Sequence, residues 1–363
     1  MAVEWDAIDL MRPHTSFGCP NELMSSLNRD IADSAAMPPI EGSPELRSAI
    51  ADMLREKHFR SIDPNAEVTI TAGSTQAIFC AMAASVGEGD EVIVIEPSFG
   101  TIADAIALTG ARAVYMSLRP DYTVDWAEVQ KNINPRTKLI ALSSPHHASG
   151  VALGTDDWES LQKLVLGTKI RVLSDETLGD MVYPDSLSSS AAFSPRLAER
   201  SFVVGSLSKS LCVDGWRLGY CVAPVELTEQ LRRVLTVVGG PTNHPAQLAF
   251  ASYMAHRPGP GLFPYAQQLA EHRAMALEAL EGSKFAPIVP QYGHSMVLDY
   301  SACSALADME LAERLIAQHG VAVLPMSCFM HDKQEHPHVR INLGIPRQQL
   351  AQALQRLSRV TSI

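Results

Sequence analysis

Along the chain, short apolar runs alternate with longer amphipathic ones. The apolar runs are rich in Val and Ile and carry almost no polar alternation: Val92, Ile93, Val94 and Ile95 within 91–96, then 113–116, 138–143, 170–174, 202–205 and 218–222. Between several of them, as at 126–133 and 157–166, apolar residues recur at helical spacing. A continuous apolar run predicts a strand covered on both faces, and strands separated by amphipathic helices predict crossover units on a parallel or mostly parallel sheet. Helical patterns at 227–237, 245–255 and 265–280 follow, then strands at 295–299, 321–324 and 339–342 and a closing helix from Gln348. The expected fold class is therefore α/β: a large domain with helices flanking its sheet, plus a small α+β domain. The first 45 residues carry Pro and Gly and are expected to wrap over the body as an arm. The expected divisions are 1–45, 46–260 and 261–363.

Charge narrows the function. In 363 residues, 29 Lys and Arg face 40 Asp and Glu, a net charge of −11. That balance argues against a grip on nucleic-acid phosphates or on an acidic membrane surface. Residues 1–10 hold acids rather than a basic region, which is not a secretory signal. The apolar stretches are broken by charge or Pro before they reach the ~20 residues a membrane span needs. Six cysteines (Cys19, Cys80, Cys212, Cys221, Cys303, Cys328) stand without a C-x-x-C pair, which predicts reduced, mostly buried thiols, no metal site and a cytoplasmic setting. A small-molecule enzyme is the class left.

In an open parallel sheet, ligands bind beyond the carboxyl ends of the strands. The residues there are Pro97, Ser98 and Phe99; 144–150 with His146 and His147; Asp175 and Glu176; and Ser206, Leu207, Ser208 and Lys209. Upstream, Gly73, Ser74 and Thr75 open a helical run, where free backbone N–H groups and the helix dipole suit an anion, or where a hydroxyl simply caps the helix. There is no Gly-x-Gly-x-x-Gly turn and no P-loop lysine, so a dinucleotide or nucleoside triphosphate is disfavoured. Around Lys209 stand Ser206, Ser208 and, in Gly215-Trp216-Arg217-Leu218-Gly219, Arg217. Two hydroxyls and a guanidinium can hold a phosphate while the amine reaches a carbonyl.

This lysine frame resembles the signature of the pyridoxal-phosphate enzymes of the class I/II aminotransferase family, of fold type I. Gly42-Ser43-Pro44-Glu45-Leu46-Arg47, the turn at 71–77, Pro97-Ser98-Phe99, the segment 144–150, Asp175 and Val339-Arg340-Ile341-Asn342 follow in the family's order, with 34 residues from Asp175 to Lys209 and 8 from Lys209 to Arg217. The resemblance implies pyridoxal 5'-phosphate as cofactor and an L-amino acid as substrate. It implies a Lys209 aldimine followed by Cα deprotonation, with amino transfer as the default outcome. Gly73, Ser74, Thr75, Ser206, Ser208 and Arg217 would hold the phosphate, Phe99 would stack on the ring, Asp175 would hold the ring nitrogen protonated, and Arg340 would take the substrate carboxylate. Gly18, with His14, Phe17, His294 and Cys328, lies in regions that line the substrate in relatives. A homodimer with active sites at the interface is implied as well.

Three positions depart from the family pattern. His147 stands where the family has an asparagine on the cofactor's phenolic oxygen, Leu178 replaces a tyrosine that donates to the same oxygen, and Met37 replaces a tyrosine that crosses to the neighbour's phosphate. Histidine can donate to that oxygen, so His147 is expected to contact the cofactor there. Segments 144–150, 216–224 and 320–325 also resemble capreomycidine synthase, a cyclising member of this fold. The alternative outcome is thus β/γ-elimination, replacement or ring closure. A non-catalytic cofactor-binding module is disfavoured by the lack of a basic DNA-binding extension.

Overall fold

The computed structural model describes residues 7–58, 60–186, 189–257, 261–332 and 337–363. The first six residues of the acid-bearing start, and the expected division at 260, lie outside them. Seven strands form the larger sheet: β1 (Val68–Thr71), β2 (Glu91–Glu96), β3 (Arg112–Ser117), β4 (Thr137–Ser143), β5 (Arg171–Asp175), β6 (Ser201–Ser206) and β7 (Gly219–Val222). Their order across the sheet is β1-β7-β6-β5-β4-β2-β3, and all run parallel except β7, which is antiparallel to both neighbours. The expected mostly parallel sheet is present.

The apolar runs behave as a doubly covered sheet requires. Alternate residues Val92, Val94, Leu139, Ala141, Leu173, Phe202 and Val204 pack with Ala77, Ile78, Ile102, Ile106 and Leu231 from helices Gly73–Ala83, Gly100–Thr109 and Val225–Val238. The intervening Ile93, Ile95, Ile140, Leu142, Val172 and Val203 pack on the other face with Val129, Trp158, Leu161 and Val165 from helices Trp126–Asn132 and Thr155–Val165. Successive strand residues point to opposite faces, so a strand covered on both sides must be apolar at every position.

A second sheet has four antiparallel strands, β8 (Ala286–Ile288), β9 (Ser295–Asp299), β10 (Leu324–Pro325) and β11 (His338–Asn342), in the order β10-β11-β9-β8. Its outer residues Met296, Leu298, Val339 and Ile341 share a core with Leu269, Ala276, Leu280, Leu350 and Leu354 of helices Ala266–Leu280 and Arg347–Ser358. The expected strand at 321–324 is two pieces. Val321–Ala322 pairs in parallel with Ile8–Asp9, and only Leu324–Pro325 joins β11. The expected arm is also more structured than its Pro and Gly suggest: helix Asn21–Asp30 buries Leu23 in the same cluster as Leu46, Ile50, Ala246 and Phe250. Of the six cysteines, none in a disulfide, Cys80, Cys221 and Cys303 are buried, Cys19 and Cys212 are half-buried and Cys328 is exposed, so "mostly buried" overstates their cover.

Candidate active site

The register of the large sheet brings the chemistry together. Ser143 at the end of β4 lies opposite Asp175 at the end of β5, Asp175 lies opposite Val204 of β6, and Gly219 at the start of β7 lies between Ser206 and Thr71. The loops leaving these strands form one rim.

At one end of the rim is a backbone cradle. Helix Gly73–Ala83 begins at Gly73 in a left-handed conformation (φ 76°), and its N-cap, Ala72, supplies no side-chain hydrogen bond. The reading of Ser74 or Thr75 as a helix cap therefore fails, and neither hydroxyl is spent on capping. Arg217, itself left-handed (φ 54°), brings Nη2 to 3.5 Å from Thr75 Oγ1. A Cβ at Gly73 would come 2.7 Å from Arg217 Nη2, and one at Gly219 would come 2.6 Å from the Gly73 carbonyl carbon and the Ser74 nitrogen. Glycine is required at both places for the guanidinium and two chain segments to converge. Ser206 Oγ accepts the Lys209 N–H and Ser208 Oγ accepts the Leu218 N–H at 2.7 Å, so both hydroxyls hold the lysine turn and each retains its own hydrogen to donate. This seat matches the donor set a phosphate monoester needs: open N–H groups, hydroxyls and a guanidinium.

Lys209 is reached next. Its Nζ lies 3.3 Å from both Pro13 O and Asp214 Oδ1. The amine is thus held by an acid and a main-chain carbonyl. Asp214 was not legible as a partner, although it lies only five residues on.

Asp175 is 4% exposed. Its Oδ1 accepts the N–H and hydroxyl of Thr177, and its Oδ2 lies 2.9 Å from His147 Nε2. Burial alone would push this carboxyl up, but the His147 and Thr177 contacts outweigh it and hold it below the ordinary carboxylate range. His147 thus engages a carboxylate, a partner the sequence did not specify. Its ring Nε2 lies one bond farther from Cβ than the amide nitrogen of an asparagine, which extends its reach to the carboxylate. His146 is spent elsewhere, with Nδ1 on Ser149 Oγ and Nε2 on Pro97 O, both at 2.8 Å. Phe99 stands edge-on to His147 (centroids 4.8 Å apart, 84°) and to Phe329 (5.3 Å, 89°). Phe99, His147, Asp175 and Phe329 line one small cavity.

Arg340, on β11, completes the group. It is 2% exposed, Nη2 donates to Met11 O at 3.3 Å, Nε has no partner, and among the described residues no carboxylate pairs with it. Burial lowers its guanidinium to about 10. The Phe329 ring lies 5.3 Å from its Cζ. Gly18 is the outlier. It is exposed, left-handed (φ 89°), and linked to the rest only through its carbonyl, which accepts the Tyr265 hydroxyl at 3.0 Å. Leu178 is buried beneath Gly293, where a Cβ would come 2.9 Å from Leu178 Cδ1, and Met37 is 82% exposed. Phe329 escaped the sequence reading because an isolated aromatic in a short irregular segment carries no periodic signal.

Residues 12–357 match the family described as aminotransferase class I and II. The methionine aminotransferase of Escherichia coli (strain K12) is 32% identical over 359 residues, covering 98% of this chain and 93% of that protein. An arginine–pyruvate transaminase of Pseudomonas aeruginosa is 29% identical, covering 93% and 85%. Among solved structures, an Escherichia coli crystal structure described as having a methionine aminotransferase function superposes with a TM-score of 0.94 at 32% identity, covering 98% of this chain and 94% of that one. A Thermus thermophilus aspartate aminotransferase mutant does so at 0.89 and 26%, covering 98% and 92%. The chain therefore belongs to the class I and II aminotransferases, fold-type-I enzymes that use pyridoxal 5'-phosphate.

Proposed function

We propose that this aminotransferase acts on an L-amino acid with a large apolar side chain, methionine being the type, and that the residues gathered on the rim carry the reaction. The observation that carries this reading is Arg340, a buried guanidinium without a carboxylate partner. Such a group is costly unless something anionic meets it, and its planar fork suits a carboxylate. Beside it, Phe329, Met326, Val297 and Phe99 belong to one apolar cluster, which suits a thioether or hydrocarbon side chain. The printed activity of the Escherichia coli relative points the same way.

When bound, pyridoxal phosphate supplies an aldehyde for the substrate amine and a ring that withdraws electrons from Cα. In our assignment Gly73, Ser74, Thr75, Ser206, Ser208 and Arg217 hold the phosphate, Phe99 covers the ring, and Asp175, fixed by His147 and Thr177, accepts the ring N–H. Arg340 orients the amino acid through its carboxylate. Lys209 moves a proton from Cα, with Asp214 and the Pro13 carbonyl as the partners its amine leaves and returns to. Gly18, at the mouth, borders the substrate.

We also assign the arm to 1–45, the large domain to 46–260 and the small domain to 261–363. The two sheets and their separate cores support this division. A homodimer is our assembly proposal, supported by exposed apolar side chains on the arm, Met24, Ile31 and Met37. No helix among the described residues is long and apolar enough to cross a membrane. A cytoplasmic site is proposed from the six thiols, none in a disulfide.

Two measurements test the reading. Borohydride reduction of the enzyme supplied with pyridoxal phosphate, followed by peptide mass spectrometry, should fix a pyridoxyl group on Lys209, and a label on any other lysine overturns the assignment. A panel of amino acids with a 2-oxo acid acceptor should then give the fastest transfer with methionine and its apolar relatives. Ammonia or a cyclised product formed without an acceptor would instead make this an elimination or cyclisation enzyme.

A further inference from the structure

Seven buried side-chain polar atoms lack a hydrogen-bond partner among the described residues, and four of them sit on one pair of strands or the residue leading into it: both ring nitrogens of His294, Ser295 Oγ and Arg340 Nε. Ser295 lies opposite Asn342, and Arg340 is two residues from Asn342, so Ser295 and Arg340 share a face of the small sheet. His294 stands immediately before β9, anchored through its carbonyl to the Leu343 N–H at 2.7 Å. It is 4% exposed. The charged and titratable groups acting on it come from four separate segments: Lys209, Arg340, His14 and His147, with Lys209 foremost. Burial first, and then these neighbours, hold the imidazole well below its ordinary value, so it is neutral and offers one N–H and one acceptor.

A neutral imidazole with both nitrogens idle, within electrostatic reach of Lys209 and Arg340, is a poor structural choice. Hydrogen bonds to buried polar groups are the rule, and an idle group needs a reason. The surroundings supply one. His147 is committed to Asp175, and position 178 is an apolar side chain packed under Gly293, so neither offers a hydrogen to an oxygen near Lys209. The same wall, one residue beyond Gly293, carries the idle donor. An anionic oxygen placed here would also answer the Arg340 guanidinium, which has no carboxylate partner among the described residues.

We propose that His294 is a ligand-contacting residue of this site, donating its ring N–H to an anionic oxygen of the bound reactants. Two oxygens share that chemistry: the phenolic oxygen of the cofactor and the carboxylate of the substrate amino acid. The inference rests on the amino-transfer reading above and adds a residue to it.

The test uses full-length enzyme loaded with pyridoxal phosphate, comparing wild type with His294→Phe, which has no donor, and His294→Gln, which keeps one. The first arm follows the visible absorbance against pH with no substrate present. If His294 meets the phenolic oxygen, the midpoint rises by about one pH unit in His294→Phe, the effect of losing one hydrogen bond to a charged acceptor, and returns toward wild type in His294→Gln. The second arm measures the dissociation constant of 4-(methylthio)butanoate, methionine without its amine. If His294 meets the substrate carboxylate, that constant rises about tenfold in His294→Phe and recovers in His294→Gln. A shift in either arm supports the proposal and identifies the oxygen. Both arms unchanged in a His294→Phe enzyme overturn it, whatever happens to the melting temperature, and His294→Leu serves the same purpose if the Phe variant does not fold. A wild-type chain that takes up no pyridoxal phosphate overturns the amino-transfer reading itself, which the absorbance of the unmodified enzyme reports first.

Discussion

The two ends of the rim recognise by different means. At the proposed phosphate seat the work is done by main chain: Gly73, Ser74, Gly219 and the left-handed Arg217 converge so closely that two glycines have no room for a methyl group. At the proposed ring end the work falls to side chains, Asp175, His147, Thr177 and Phe99, of which His147 is not the residue the family pattern expects. Backbone recognition leaves few substitutes, since only glycine fits a crowded or left-handed position. A side-chain network can be rebuilt from other residues as long as its buried polar groups find partners. The difference teaches where this enzyme has room to differ from its relatives.

The largest effect should come from breaking the ring-end network at its charge. Asp175→Asn removes a buried carboxylate while keeping its shape, and it leaves His147 without an anionic partner. Without a carboxylate to keep the ring an electron sink, kcat/KM should fall by about 10²–10³-fold, about 2.7–4.1 kcal/mol of activation free energy, with the cofactor still bound through its phosphate. Steady-state kinetics on the cofactor-loaded variant measures this. A loss below tenfold would mean that the carboxylate does not act on the ring.

At the other end, Gly219→Ala should separate main-chain from side-chain recognition. The added methyl would sit 2.6 Å from two backbone atoms of the turn at 73–74, which cannot rotate aside. Displacing that turn should weaken pyridoxal-phosphate binding by roughly ten- to a hundredfold, about 1.4–2.7 kcal/mol, because its N–H groups lose their aim. Spectroscopic titration of the apo-protein gives the constant, and kcat at saturating cofactor should change far less. An unchanged constant would detach the cradle from the phosphate.

The contrast also explains what could be read from sequence. The buried strands were legible because Val and Ile at every position leave no other covering than two layers of helices, as in 91–96. The lysine turn was legible because spacing alone fixes Ser206, Ser208, Lys209 and Arg217 on one loop. Strand β1 was not singled out: four residues, two of them threonine, give too short a pattern beside the turn that follows. Three facts of the ring end depend on distances in space. His147 reaches Asp175 across 28 positions, Lys209 is held by Pro13 from 196 positions away, and Arg340 meets the Met11 carbonyl from 329 positions away. A residue type can announce that it carries a donor. Which acceptor it finds is decided by side-chain length and by which loops the sheet order brings together.

Two adjacent acids at the end of β5 sharpen the point through pH. Asp175 is held below its ordinary range because His147 and Thr177 more than offset burial, whereas Glu176, half-buried beside it, is pushed up to about 7 by desolvation despite its hydrogen bonds to Ser190, Ala191 and Ser174. The signs are therefore opposite. Asp175 contributes stability above its ordinary value near 3.8, and that contribution is lost as the pH falls further. Glu176 binds its proton more tightly in the folded chain than in the unfolded one, so its contribution is complete below about 4.5 and is lost as the pH rises toward 7. Across that window wild-type stability should decline by on the order of 1–2 kcal/mol from this group alone. Glu176→Gln, which cannot ionise, should flatten the decline while leaving the acid limb below pH 4 in place. Denaturant titrations at pH 4.5, 6 and 7.5 would show it. Equal slopes in wild type and variant would mean that Glu176 is ionised in the fold, and the contrast with Asp175 would then reduce to their hydrogen bonds.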